Sequence, residues 1–499
     1  MMILSRRSAG AITPLTLLVI LAIGLHIPSL FEPYWYGDEA IYLSVGEGLR
    51  QGLLLYRDIF DHKTPLIYLL AAITGSIFWF KFALLVSNAI TVIVFWKLAK
   101  NLFGEKEKAT ILATLMFVLL SSLPLLEGNI ANAELFILGP TLGAYLLLNV
   151  PRKTSINRAF LAGLLFSISI LFKVPAIFDL LVVVAFWLIS VKNGGTPQRT
   201  FSKILILLAG VSIPILISMV YFAWHHALDT YLTTAWSDNF TYIGRWGSVT
   251  AQKTFPPLNG LPMRALAAGL VLSLIFAFRK FFTPAILFVS IWLTLSLFAA
   301  LISARPYPHY LIQAVPPFCL AITIIATNRL KVRFLPLPFV FLTSLAILYY
   351  NFSYYPVFPY YQNFALFVLG QKTRDQYINH FDSRLSWVYK LSANLQSRIS
   401  LKERVFIWGT APEVYALSRR LPPAKYITSF HITDFNGEKE TLETLNKNKP
   451  KYIVILPEEK RQFPGFFPFL QNNYYHVENI EKVQIWKLKP NTTKLNTKL

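Results

Sequence analysis

The chain has 499 residues, of which 55% are hydrophobic and only 14% charged, against about 25% charged in soluble domains. That balance excludes a soluble globular enzyme, and the 15% aromatic content suits side chains placed in lipid or at its interface. Forty-seven Lys and Arg against 25 Asp and Glu give a formal charge of +22. The basic residues gather in short loops between apolar runs, as the positive-inside rule requires, so the charge implies no nucleic-acid partner.

Taken in chain order, apolar runs near 11–30, 82–98, 109–126, 134–149, 159–172, 174–191, 203–223, 261–278, 283–302, 309–326 and 334–350 predict about 11 transmembrane helices. The first follows Arg6 and Arg7 without a small-residue cleavage site and reads as an uncleaved span. The run 65–80 is ambiguous. As a full span it would turn the Lys-rich loop 97–108 outward and invert every later loop, so it is expected to be re-entrant or interfacial. The basic loops 97–108, 151–158, 192–203, 279–280 and 328–333 then fall inside, and 31–64, 127–133, 224–260, 303–308 and everything after about 351 fall outside.

Beyond a linker at 351–371 the composition becomes polar and the apolar runs shorten to strand length at 405–408, 452–456 and 483–488, with a helix-like stretch at 412–420. Residues 372–499 are expected to form a small extracytoplasmic α/β domain appended to a membrane domain of residues 1–350. The single cysteine, Cys319, lies in an apolar run, so no intramolecular disulfide holds that domain together.

The first outer loop carries Tyr36-Gly37-Asp38-Glu39-Ala40, a carboxylate pair just past the outer end of the first span. Partial desolvation raises carboxylate basicity, which suits a general base or a metal ligand. The competing reading makes Asp38 a plain N-cap of a helix over 39–50. The loop ends Asp61-His62-Lys63-Thr64-Pro65, where ionisable groups crowd the start of an apolar run. Lys63 can hold a lipid phosphate as a point charge or simply snorkel to the interface.

This first loop resembles that of the GT-C superfamily of integral-membrane glycosyltransferases, on the branch containing dolichyl-phosphate-mannose protein mannosyltransferases and the bacterial aminoarabinose transferase that modifies lipid A. The likeness spans about residues 10–350 and is most specific in the first loop. It implies that Asp38 is the catalytic carboxylate, with Glu39 beside it, and that Lys63 binds the phosphate of a polyprenyl carrier. Where many bacterial members read Glu-Lys-Pro-Pro, this chain has His62-Lys63-Thr64-Pro65, and His62 is carried as a substrate-binding candidate.

Relatives carry a further acid after the third span, which matches Glu134, and a Lys that matches Lys173 between two short spans at the outer face. The alternatives are a headgroup-region carboxylate and a headgroup anchor. Arg305, His309 and Tyr310 stand at the outer mouth of a late span. Two cations and a phenol suit a departing phosphate, although an aromatic belt with a cationic anchor gives the same pattern. Asp238 and Arg245 in the long outer loop are looser candidates for the sugar or acceptor site.

The expected activity is inverting transfer of one sugar from a polyprenyl-phosphate donor to a protein, lipid or polysaccharide acceptor on the extracytoplasmic face. A divalent metal ion held by Asp38 with Glu39 or Glu134 stays open. The absence of a Gly-rich phosphate loop, a Walker sequence and a GxSxG elbow fits a lipid-linked donor. The rival class is a lipid or solute transporter, but transporters carry repeats and broken helices near the bilayer midplane, whereas the ionisable residues here lie at outer span ends.

Overall fold

The computed structural model describes residues 13–151, 155–191, 196–238, 260–327 and 331–490. Among the described residues, five helices are long and apolar enough to cross a membrane: Pro14–Phe31, Ile77–Phe103, Pro197–Trp224, Pro284–Leu301 and Pro308–Thr327. Shorter apolar helices at Ala133–Leu148, Ile156–Phe172, Val174–Ser190, Leu261–Ala277 and Leu337–Tyr349, together with Glu107–Ser122, occupy the other predicted spans. The chain divides into two compact units, one made of Met1–Ser29, Phe82–Ile217 and Ile243–Val357, the other of Leu30–Lys81, Ser218–Tyr242 and Phe358–Leu499.

The first unit is a helical bundle whose contacts follow from small residues and a few satisfied polar groups. Helices Ile156–Phe172 and Pro197–Trp224 touch backbone to backbone at Gly163 and Gly210, where a Cβ on Gly163 would stand 2.2 Å from the Leu207 carbonyl oxygen. Without a side chain at those two positions the helices approach closely, as membrane helices do. Deeper in the bundle, buried Asp179 accepts hydrogen bonds from Trp292 Nε1 at 3.0 Å and Gln313 Nε2 at 2.8 Å. Because a bare carboxylate in such surroundings is costly, these donors tie the 177–191, 284–301 and 308–314 segments together.

The second unit joins the first loop to the C-terminal domain. The ambiguous run at 65–80 resolves into a nine-residue helix, Leu66–Thr74, ended by Gly75 in the left-handed region (φ 69°). At 1.5 Å per residue it is about 14 Å long, less than half the hydrocarbon thickness. The following span starts at Ile77, earlier than the hydropathy suggested.

Residues 405–488 of this unit hold a four-stranded sheet of order β1-β2-β4-β3, with β1 at Val405–Trp408, β2 at Tyr452–Ile455, β3 at Tyr474–Ile480 and β4 at Val483–Leu488. β1 and β2 run parallel and the other two pairs antiparallel. β1 is apolar and buried at every residue, as expected of a parallel strand covered on both faces. β3, at the sheet edge, is exposed or half-buried at every residue after Tyr474 and was not anticipated. Phe60 of the first loop enters the core of this domain beside Phe406, Trp408, Tyr426 and Ile432. Its backbone N–H donates to the Lys425 carbonyl at 2.8 Å.

Candidate functional site

Helix Gly37–Arg50 positions the acidic pair. Tyr36, not Asp38, is the N-cap residue, and it makes no side-chain capping bond, so Asp38 and Glu39 both sit in the first helical turn. There the amide dipoles favour negative charge. Consecutive helical residues point about 100° apart, and these two acids meet different surroundings.

Asp38 is partly open, its side chain 35% exposed, and its Oδ2 meets Lys63 Nζ at 3.2 Å and accepts from the Tyr42 hydroxyl at 3.1 Å. The Lys63 ammonium also lies over the Tyr42 ring, 4.8 Å from its centroid. Glu39 turns inward instead. Its Oε1 lies 2.9 Å from Lys81 Nζ, which also meets Glu32 Oε2 at 2.9 Å. Glu32 further accepts from Trp35 Nε1 at 2.8 Å and from the Tyr360 hydroxyl at 2.5 Å. All three ionic side chains of this group are buried.

The segment before Lys63 is held by phenols. The Tyr68 hydroxyl donates to Asp61 Oδ2 at 2.7 Å and accepts the Lys63 N–H at 3.0 Å, while Tyr56 donates to the Lys63 carbonyl at 2.8 Å. Burial raises the Asp61 carboxyl, but the Lys63 charge and the bond from His62 outweigh it and hold it well below the usual carboxylate range. His431, from the C-terminal domain, approaches the same carboxylate at 3.4 Å. Burial, with Lys63 and His62 nearby, lowers its imidazole to about 3, against the opposing pull of Asp61. Asp61, His62 and His431 form a buried group whose donor atoms lie within 4.8 Å of one another, a set able to hold a metal ion.

A second cluster lies in the other unit. Glu134, in the first turn of helix Ala133–Leu148, forms an ion pair with Lys173 and lies 3.6 Å from His309 Nε2. The Lys173 ammonium covers the Tyr310 ring at 4.4 Å. His309 Nδ1 is hydrogen-bonded to Glu127, which also accepts from Asn132 Nδ2 at 3.2 Å. Glu127 was not singled out from the sequence. Its place is set by the fold and not by a sequence motif: Glu127 has a positive φ of 59°, and a Cβ on Gly128 would meet the Ser121 carbonyl oxygen at 2.6 Å.

Four residues predicted apart in sequence, Glu134, Lys173, His309 and Tyr310, are thus brought together. Arg305 is buried in the adjoining segment, its backbone N–H directed at Ser303 Oγ. Asp238 follows the π-helical turn Thr233–Ser237; burial raises the Tyr426 phenol, and the Asp238 charge is among those that raise it further. Arg245 lies outside the described residues.

No protein-family model matches the sequence, and no curated protein matches it. Among solved structures, the chain is similar to ArnT from Cupriavidus metallidurans, a lipid A aminoarabinose transferase, bound to undecaprenyl phosphate. The two share 14% sequence identity and a TM-score of 0.56 over 94% of this chain and 97% of that one. The chain has the fold of this ArnT. The apo form of the same ArnT gives the same coverage with a TM-score of 0.55. A looser likeness, at a TM-score of 0.44 and 11% identity, links it to the archaeal oligosaccharyltransferase AglB from Archaeoglobus fulgidus in complex with an inhibitory peptide and a dolichol-phosphate, covering 97% of this chain and 74% of that one. With its apolar helices and the fold it shares with ArnT, the chain is an integral-membrane protein. At 14% identity the likeness establishes the fold alone.

Proposed function

We propose that the protein is an inverting glycosyltransferase that moves a sugar from a polyprenyl-phosphate carrier to an acceptor hydroxyl on the extracytoplasmic face. The observation that carries this reading is the Asp38–Lys63 pair, a partly exposed carboxylate beside a largely buried ammonium, in a GT-C fold shared with an ArnT that was solved with undecaprenyl phosphate bound. The acceptor oxygen attacks the anomeric carbon from the face opposite the phosphate. The bond from that carbon to the phosphate oxygen breaks, its electron pair leaves with polyprenyl phosphate, and Asp38 takes the hydroxyl proton.

Lys63 has two roles in this scheme. Paired to Asp38 it suppresses the carboxylate's basicity; drawn to the donor phosphate it stabilises the leaving group and frees Asp38 to act as base. Lys63 beside Asp38 and Lys81 beside Glu39 already supply the positive charge that a divalent ion would bring, so no step is routed through an ion there. Glu39 acts by position, its pairing with Lys81 fixing the rotation of the helix that presents Asp38. In the other unit, Lys173, His309 and Tyr310 supply cationic and phenolic donors for an anionic lipid group, with Glu127 and Glu134 holding them in place. The extracytoplasmic placement of the first loop and C-terminal domain rests on the inward bias of the basic loops.

The test is turnover by purified protein in nanodiscs with a panel of polyprenyl-phosphate sugars and hydroxylated acceptors, following free polyprenyl phosphate. Release with at least one donor supports the reading. Binding of the carriers with no release under any donor–acceptor combination would turn it toward a transporter.

A further inference from the structure

The group Asp61, His62 and His431 has features that the transfer chemistry above does not use. Tetrahedral sites with metal–nitrogen and metal–oxygen bonds of about 2.0–2.1 Å place neighbouring ligand atoms about 3.3–3.4 Å apart. Here Asp61 Oδ1 lies 3.0 Å from His62 Nδ1 and 3.4 Å from His431 Nε2. Two edges of such a site are therefore already near their bound length, and closing the third needs only ring rotation within the 4.8 Å that encloses all three donors.

The surroundings are those of a held ligand set. Tyr68 donates to the other carboxylate oxygen of Asp61 at 2.7 Å, which aims Oδ1 at the two imidazoles, as second-shell hydrogen bonds orient metal-bound carboxylates. His431 is 1% exposed and turns Nε2 toward Asp61 Oδ1, so the nitrogen that would bind an ion is held inside the group. Lys63 and Asp38, which act on His431 with opposite sign, pair with each other at 3.2 Å, and the Asp61 carboxylate is the charge that the group itself offers a cation. Two imidazoles and one carboxylate favour a borderline divalent metal over calcium or magnesium, which take oxygen ligands, and three protein ligands leave a fourth position open.

The three residues come from distant parts of the chain. Asp61 and His62 end the first loop, while His431 lies in helix Ser429–Asp434 of the C-terminal domain. Around them the same two segments meet through Phe60, whose ring lies 4.8 Å from that of Phe435.

We propose that Asp61, His62 and His431 bind one divalent transition-metal ion of the Zn2+ class, which fastens the first loop to the C-terminal domain. This does not rest on the glycosyltransferase reading, and its test uses no turnover. Full-length protein in nanodiscs, stripped with a chelator, is titrated with ZnCl2 by calorimetry, and amide hydrogen exchange is followed over 58–64 and 429–434. The expected result is one ion per chain, slower exchange in both segments on binding, and about 100-fold or greater loss of affinity in His431→Gln and in Asp61→Asn. His476→Gln, an exposed histidine of β3, controls for adventitious binding and should bind as wild type does. Should a variant not fold, His62→Gln, whose side chain is 11% exposed, replaces it. No stoichiometric binding, or wild-type affinity in the folded triad variants, would overturn the proposal.

Discussion

Replacing Lys81 with Met removes the one ammonium between two buried carboxylates. Lys81 Nζ lies 2.9 Å from both Glu32 and Glu39, with side-chain exposures of 0%, 0% and 2% for Lys81, Glu32 and Glu39. Breaking a buried pair by deleting one partner costs about 3–5 kcal/mol, because the remaining charge keeps its desolvation penalty. Two carboxylates lose that charge together, while Trp35 and Tyr360 still donate to Glu32. Lys81→Met should therefore fall at the upper end of that range, and Glu39→Gln/Lys81→Met should recover about 2 kcal/mol or more by removing the uncompensated charge. The assay is denaturant unfolding of wild type, both single variants and the double variant in one lipid mixture. A loss below about 1 kcal/mol for Lys81→Met, or strict additivity in the cycle, would refute the claim that Lys81 clamps Glu39.

Glu413, 3% exposed, is raised by burial from 4.5 to about 7. The folded state therefore holds this proton more tightly than the unfolded state, and its stability is full below about pH 4.5 and lost as pH rises through 7, by about 3 kcal/mol. The stability gap between wild type and Glu413→Gln should change over that window, and parallel pH–stability curves would contradict it. Phe60→Ala should cost about 3–5 kcal/mol, since its ring is 3% exposed in the C-terminal core; faster proteolysis of the first loop in the variant is the readout. Gly163→Val should abolish folded yield in membranes, because the Cβ would meet the Leu207 carbonyl oxygen at 2.2 Å; a wild-type yield would show that the two helices can separate at little cost.

Hydropathy located the membrane helices well because burial in lipid demands long apolar runs, a constraint that each segment satisfies by itself. Asp38 and Lys63 were readable for a similar reason, since both lie in one short loop and meet there. Partnerships across long separations were not. Lys81 reads as the polar edge of an apolar run, and its link to Glu32 spans 49 residues. His431 looks like any histidine of a small α/β domain until folding sets it against Asp61. β3 escaped because Tyr474–Ile480 is largely exposed at an edge, so its residues carry too little apolar alternation to mark a strand. The helix capping signal misled in a different way: an acid two residues into the helix resembles a cap, whereas Tyr36 holds that position without a side-chain bond.

The central claim is that Asp38 removes the acceptor proton. Single-turnover release of polyprenyl phosphate by wild type and Asp38→Asn, at matched carrier occupancy and with folding verified, tests it most directly. General-base removal should slow release by about 10²–10⁴-fold while carrier affinity stays near wild type. Release by Asp38→Asn within tenfold of wild type would remove Asp38 from the chemistry and, with it, this account of the reaction.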